Sequence, residues 1–170
     1  MLKLLIKKIK IHRNPIKYWK KRGAIIGKNV EIAPSASLGS EPYLIEIGDN
    51  CKITNHVEFI THDGGANVIR NIQDDFSLDI FKGKTTLGSN VFVGNRACIM
   101  PGVKIGNNVV VGYGSIVTKD VPDNVVVGGA PAKIIKSIND YINDNKDNIV
   151  PTKQLNDCQK KEFLKNKYEK

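Results

Sequence analysis

Cysteine is scarce in this chain of 170 residues: Cys51, Cys98 and Cys158 are an odd number with no metal-like spacing. That excludes a disulfide framework and a cysteine-based zinc site, and it fits a reducing compartment. Histidine is equally rare, with His12, His56 and His62 its whole complement, so no metal is expected. Long apolar runs are missing as well. No stretch approaches the roughly twenty apolar residues of a membrane span, and the first segment lacks the continuous apolar region of a signal peptide, so a cytoplasmic location is expected. Aromatics make up 6% of the chain, and the body has no basic stripe interleaved with stacking rings. A nucleic-acid partner is therefore not expected. Disorder and collagen are excluded by 41% hydrophobic and 25% charged residues, ordinary values for one globular domain.

Acidic residues are absent from positions 1–28, which hold ten Lys or Arg. Residues 29–132 carry a net −4 and residues 133–170 a net +3, within an overall charge of +9. The basicity thus lies at the ends. In MLKLLIKKIKIHR, Leu2, Leu5, Ile6 and Ile9 recur at helical spacing with Lys3, Lys7 and Lys10 largely opposite, so residues 1–22 read as a basic amphipathic helical segment. Two readings stand for it: a helix covering the end of the core, and peripheral contact with an anionic membrane surface.

What the chain has in abundance is repetition. From Leu87 it reads LGSNVF, VGNRAC, IMPGVK, IGNNVV, VGYGSI and VTKDVP, six consecutive hexads. Leu87, Val93, Ile99, Ile105, Val111 and Val117 hold the first place, and Val91, Ala97, Val103, Val109, Ser115 and Val121 the fifth. The same register appears upstream in IGKNVE and IAPSAS from Ile26, and in IGDNCK, ITNHVE and FITHDG from Ile47. A period of six matches neither a helix nor a long strand. It calls for short strands joined by a turn every six residues, with the first-place aliphatic filling the interior and Gly or Asn taking the corners. The expected architecture is an all-β solenoid whose hydrogen bonds run from coil to coil.

These hexads, the loop beginning THDGG, and the closing stretch GSIVTKDVPDNVVVGGAPAK resemble the hexapeptide-repeat acyltransferases, especially the maltose and galactoside O-acetyltransferase branch with its polysaccharide-modifying relatives. The resemblance covers about residues 23–136. It implies a left-handed parallel β-helix, three hexads to a coil, assembled as a homotrimer with active sites between subunits. The hand comes from the resemblance alone, since chirality arguments favour the right. Three segments follow: residues 1–22, a catalytic β-helix over 23–132 with an inserted loop at 64–80, and a helical extension over 133–170.

The insertion, GANVIRNIQDDFSLDI, carries enough Ile, Phe and Leu not to be plain linker. By the resemblance it walls a site on the neighbouring subunit, and FKGKTT returns to the register with Phe81 facing inward. His62, at the base of the loop, is the residue the resemblance makes general base. An alcohol must lose its proton as it attacks a thioester, and imidazole titrates in the right range. Asp63 and Glu58 are the two candidates for a carboxylate that orients it. Asp63 and Arg70 are candidates for binding the acceptor, as are Asp74 and Asp75. His56 stands one hexad earlier, around a corner from His62, and His12 has no evident partner.

For the donor, acetyl-CoA, the resemblance carries contacts to Asn95, Tyr113, Thr118, Lys119, Lys133 and Lys136. Asn95 and Tyr113 are eighteen residues apart and should stack. The family has a small residue where Tyr113 stands, which is a departure. Lysines suit a diffuse polyphosphate by charge alone. Phe92 falls where the family often has an aromatic near the acyl end. The acceptor implied is a carbohydrate or nucleotide-sugar hydroxyl in capsule, lipopolysaccharide or exopolysaccharide assembly. N-acetylation of a nucleotide-linked amino sugar, a purely structural β-helix and a zinc hydratase on the same fold are the alternatives. After Pro131, Ile134, Ile135, Ile138 and Ile142 recur at helical spacing and predict a capping helix. From Pro151 a polar tail follows, either a short helix or partly disordered.

Overall fold

The computed structural model describes Ile11 and residues 13–169. Half of the basic segment read from the sequence, residues 1–10 and His12, lies outside them. Its end is a short helix, α1 (Pro15–Lys21), which begins at Asn14, whose side chain accepts the Lys17 N–H. Trp19 of this helix is buried, and Ile16 packs against the same core.

The chain then visits three parallel sheets in rotation. The first sheet is β1 (Ile25–Ile26), β3 (Ile45–Ile47), β6 (Thr85–Leu87) and β9 (Lys104–Ile105). The second holds β2 (Glu31–Ile32), β4 (Lys52–Ile53), β7 (Val91–Val93), β10 (Val109–Val111) and β12 (Val125–Gly129), with β13 (Ala132–Ser137) on its edge. The third is β5 (Glu58–Phe59), β8 (Cys98–Ile99) and β11 (Ile116–Val117). A bridge between Ser37 and Glu58 extends the third sheet, and one between Ile105 and Val121 extends the first. Each strand except β13 pairs in parallel with the strand one circuit away, as in Val91–Val93 against Val109–Val111.

The six-residue period explains why. All six first-place residues from Leu87 to Val117 and all six fifth-place residues from Val91 to Val121 are buried, so each hexad turns two side chains inward. Each fully buried Val, Leu or Ile contributes about 1.5–3 kcal/mol of apolar burial. The corner between the first and second sheets repeats an asparagine with positive φ: Asn29, Asn50, Asn90, Asn108 and Asn124. Asparagine tolerates this left-handed backbone, and the side chains form a ladder, with Asn90 Nδ2 donating to Asn108 Oδ1 and Asn108 Nδ2 to Asn124 Oδ1, both at 2.9 Å. At Gly48, the second place, a Cβ would stand 2.6 Å from the Gly88 carbonyl oxygen of the next circuit. Only glycine lets the coils approach so closely.

Two expectations fail here. Residues 132–137 are not the start of a helix but strand β13, antiparallel to β12 across a turn at Gly129–Pro131. The unpaired edge of β12 offers backbone hydrogen bonds that outweigh the helical spacing of the isoleucines, and helix α3 (Ile138–Asn145) begins only afterwards. Phe81 does not face inward: it is half exposed, and the first buried residue on re-entry is Thr85.

The main compact unit ends at Asn139, and residues 140–170 form a second. The tail holds helix α4 (Asp157–Tyr168), opened by a capping box between Asn156 and Gln159.

Candidate active site

Each circuit turns three corners, and the hexad decides what stands on them. The corner from third sheet to first is where the repeat is interrupted, between Phe59 and Thr85. Its base is closed by the Asp63 N–H donating to the Ile80 carbonyl at 2.9 Å. Inside the insertion, helix α2 (Ala66–Gln73) follows an Asp63 side chain that accepts the Gly65 N–H at 2.9 Å. Asp63 therefore organises the loop.

His62 stands at this corner with its ring partly exposed. Its Nδ1 is 3.0 Å from Glu41 Oε2, so the orienting carboxylate is neither Asp63 nor Glu58. Phe59 lies in register above Leu38, its N–H donating to the Ser37 carbonyl at 2.9 Å. Counting four places from Leu38 and from Phe59 brings Glu41 directly beneath His62. A 3-10 turn at Pro42–Leu44 lengthens this circuit, which puts the partner 21 positions upstream. Sequence reading missed Glu41; the signal was its fourth place in the hexad LGSEPY.

Glu41 is held by more than His62. The Thr61 hydroxyl, from a buried residue, donates a short hydrogen bond to the same Oε2. This bond above all keeps the Glu41 carboxyl below the usual carboxylate range. Burial works against it, and the hydrogen bond and charge of His62 add to it. The carboxylate is thus anionic at neutral pH and accepts from an imidazole that carries its proton on Nδ1. In that tautomer the lone pair is on Nε2, the state a general base requires. Phe81 lies beside the ring, centroid to centroid 6.0 Å, and forms an apolar wall.

Arg70 donates from Nε to the Leu78 carbonyl at 2.6 Å and pairs with Asp79, so its guanidinium is engaged within the loop. Asp74 ends α2 with positive φ, and Asp75 accepts the Ser77 N–H and hydroxyl.

The residues expected on the donor side lie in three places. Asn95 and Tyr113 are stacked on successive circuits of the corner between second and third sheets, where the Gly114 N–H donates to the Asn95 carbonyl at 2.9 Å. The Asn95 side chain accepts the Asn55 N–H at 2.9 Å, and the exposed Tyr113 hydroxyl takes a 2.7 Å bond from Arg96. Thr118 and Lys119 are exposed at the corner that carries His62, two circuits further on. Lys133 and Lys136 lie on β13, opposite Gly128 and Val126. One chain therefore divides these residues between two corners and a sheet edge. Phe92 points outward from β7, partly exposed, in register with Lys52 and Val110.

The thiols of Cys51 and Cys98 are poor nucleophiles. Burial pushes Cys51 up, and burial together with the Glu58 charge pushes Cys98 up, so neither is poised as thiolate. Among the described residues no cluster of three or more His, Cys, Asp or Glu is placed to hold a metal ion, and no helix is long and apolar enough to cross a membrane.

Hexads on three parallel sheets, with a carboxylate-held histidine where the repeat is broken, define a transferase of the hexapeptide class. The family "Bacterial transferase hexapeptide (six repeats)" matches residues 84–119. Protein CapG of Staphylococcus aureus is 45% identical over 170 residues, covering 99% of this chain and 96% of that one. The chain belongs to the hexapeptide-repeat acyltransferase family. Galactoside O-acetyltransferase of Escherichia coli (strain K12) is 42% identical over 101 residues, which are 59% of this chain and 47% of that one; the chain spans about half its length. A solved galactoside acetyltransferase in complex with coenzyme A matches with a TM-score of 0.61 at 28% identity, over 84% of this chain and 82% of that chain.

Proposed function

We propose that the protein is an acetyl-CoA-dependent O-acetyltransferase acting on a carbohydrate hydroxyl in the assembly of capsule, lipopolysaccharide or exopolysaccharide. The observation that carries the reading is His62, with Nδ1 3.0 Å from Glu41 Oε2 at the interrupted corner. The family, the activity named for the galactoside relatives and the coenzyme held by one of them supply the donor.

In this reading His62 Nε2 takes the acceptor hydroxyl proton as the oxygen attacks the thioester carbonyl carbon. A tetrahedral oxyanion forms, the carbon–sulfur bond breaks, and the imidazolium returns its proton to the leaving coenzyme thiolate. Glu41 stabilises the imidazolium while it lasts. Both substrates are bound at once, and no acyl-enzyme forms.

The β-coil is left-handed and the working unit is a homotrimer, with Asn95 and Tyr113 on one side of each seam and His62, Thr118 and Lys119 on the other. Lys133 and Lys136 hold the donor phosphates by charge. Asp63 and Arg70 serve the acceptor side by shaping the loop. The experiment is acetyl-CoA consumption against a panel of sugars and nucleotide sugars, with His62→Ala as control. Ester formation that the variant loses is expected. Full chemical rate in the variant on the true acceptor would remove His62 as base.

A further inference from the structure

Helix α1 brings cations together on a body that otherwise carries net negative charge over residues 29–132. Arg13, Lys17, Lys21 and Arg22, with Asn14 and Tyr18, line a groove of about 690 Å³ that has no acidic residue among the described residues of its wall. The apolar residues of the helix are not available to a membrane, because Trp19 is buried and Ile16 packs on the core. A helix that lies in a lipid surface needs an exposed apolar face, and among the described residues α1 has none.

Arg22 links this groove to a second cavity of about 330 Å³, where it is joined by Trp19, Ser37, Ser40, Glu58 and Ile60. The guanidinium is fixed between the two: Nη1 donates to the Tyr18 hydroxyl at 3.1 Å and Nη2 to the Ser40 carbonyl at 3.0 Å, over the Tyr18 and Trp19 rings. Ser40, whose carbonyl Arg22 holds, immediately precedes Glu41, and a Cβ on Gly39 in the same wall would meet Thr61 Cγ2 at 2.6 Å, so this cavity borders the segment that carries Glu41. The indole nitrogen of Trp19, in its wall, is buried and has no hydrogen-bond partner among the described residues.

We infer that the acceptor is an anionic sugar: its phosphate or carboxylate sits in the Arg13, Lys17, Lys21 and Arg22 groove while its hydroxyl-bearing ring extends past Ser40 toward His62. This rests on the O-acetyltransferase reading and narrows it to charged acceptors. A nucleoside-diphosphate sugar and an acidic polysaccharide share this chemistry. Lysines and a fixed arginine suit phosphate or carboxylate alike.

The test uses the full chain and three acceptor arms: a uridine-diphosphate hexose, an oligogalacturonide and neutral maltotriose. Acetylation of a charged arm in preference to maltotriose is expected, and whichever charged arm reacts identifies the source of the anion. The triple variant Arg13→Gln, Lys17→Gln, Lys21→Gln changes exposed residues and should raise the acceptor KM about tenfold, as loss of several screened charge contacts does. The KM for acetyl-CoA should stay as it was, and added salt should weaken wild-type acceptor binding. Arg22→Lys keeps the charge but not the fork, and should raise the acceptor KM by a smaller factor. Maltotriose used as well as the charged arms, with KM unmoved in the triple variant, overturns this inference and leaves the O-acetyltransferase reading standing. Absence of transfer in every arm while acetyl-CoA still binds overturns both. Binding to phosphatidylglycerol vesicles that the triple variant loses, with acceptor KM unchanged, assigns the cations to a lipid surface and overturns it too.

Discussion

His56 and His62 occupy the same fourth place in consecutive hexads, ITNHVE and FITHDG, yet the structure gives them opposite surroundings. His56 turns a regular corner with φ 57°, above Ser35, whose hydroxyl accepts its N–H at 3.2 Å. The next circuit sets Arg96 over it, the Arg96 N–H donating to the Asn55 carbonyl at 3.0 Å. His62 stands where the corner is broken, with Glu41 at the equivalent place below and Gly102 above. In the ladder of fourth places, a serine and an arginine stand below and above His56, and a glutamate and a glycine below and above His62. The repeat thus supplies identical positions, and the residue one circuit away decides whether an imidazole has a carboxylate on its Nδ1.

The sharpest way to break this comparison is to delete each ring. His62→Ala should lower turnover of acetyl-CoA with acceptor by about 10²–10⁴, the usual worth of a positioned general base, while coenzyme binding persists. His56→Ala should leave the rate within about twofold. Equal losses from both variants, measured by thiol release, would erase the distinction.

Next in size is Glu41→Gln, which keeps the shape and removes the charge that favours imidazolium. Turnover should fall about tenfold to a hundredfold. Because its folded-state pKa lies below the ordinary glutamate value, Glu41 contributes stability that is fully present above that value. The contribution is lost as pH falls through the lower folded pKa. Acid unfolding of wild type should show this component and the variant should lack it; identical acid limbs would deny the carboxylate its held state.

A backbone test comes third. Gly39, φ 75°, leads into Glu41, and a Cβ there would meet Thr61 Cγ2 at 2.6 Å and the Phe59 carbonyl oxygen at 2.9 Å. Gly39→Ala should cost about 1–3 kcal/mol and lower turnover by displacing Thr61. Gly64, with nothing within 4 Å, should accept alanine within about 0.5 kcal/mol. Thermal unfolding of the pair checks both. Smallest is Asn108→Ala at a regular corner. It removes two exposed ladder bonds and a residue suited to positive φ, for about 1 kcal/mol, with the reaction rate unaffected.

Much of the fold was legible because the hexad repeats the same burial requirement. Leu87 through Val117 at the first place, and Val91 through Val121 at the fifth, are buried as a six-residue coil demands. The position of His62 at the interrupted corner was legible from the break in the repeat. Glu41 was not, because a three-residue 3-10 turn changes the circuit length, and the partner is found only by counting hexad places. Phe81 misled because a register read after an insertion need not resume at its first residue; the strand begins at Thr85. Ile134 and Ile135 misled because helical spacing is a local signal, while the open edge of β12 is a tertiary one. Arg70 reads as a ligand in a loop and is taken up by Leu78 and Asp79.

The most direct measurement is a crystal structure with coenzyme A bound. The account requires the thiol sulfur to lie beside His62 Nε2, with Glu41 still on Nδ1 and a neighbouring subunit closing the far side. A sulfur seated at the His56 corner, or distant from both rings, would contradict it.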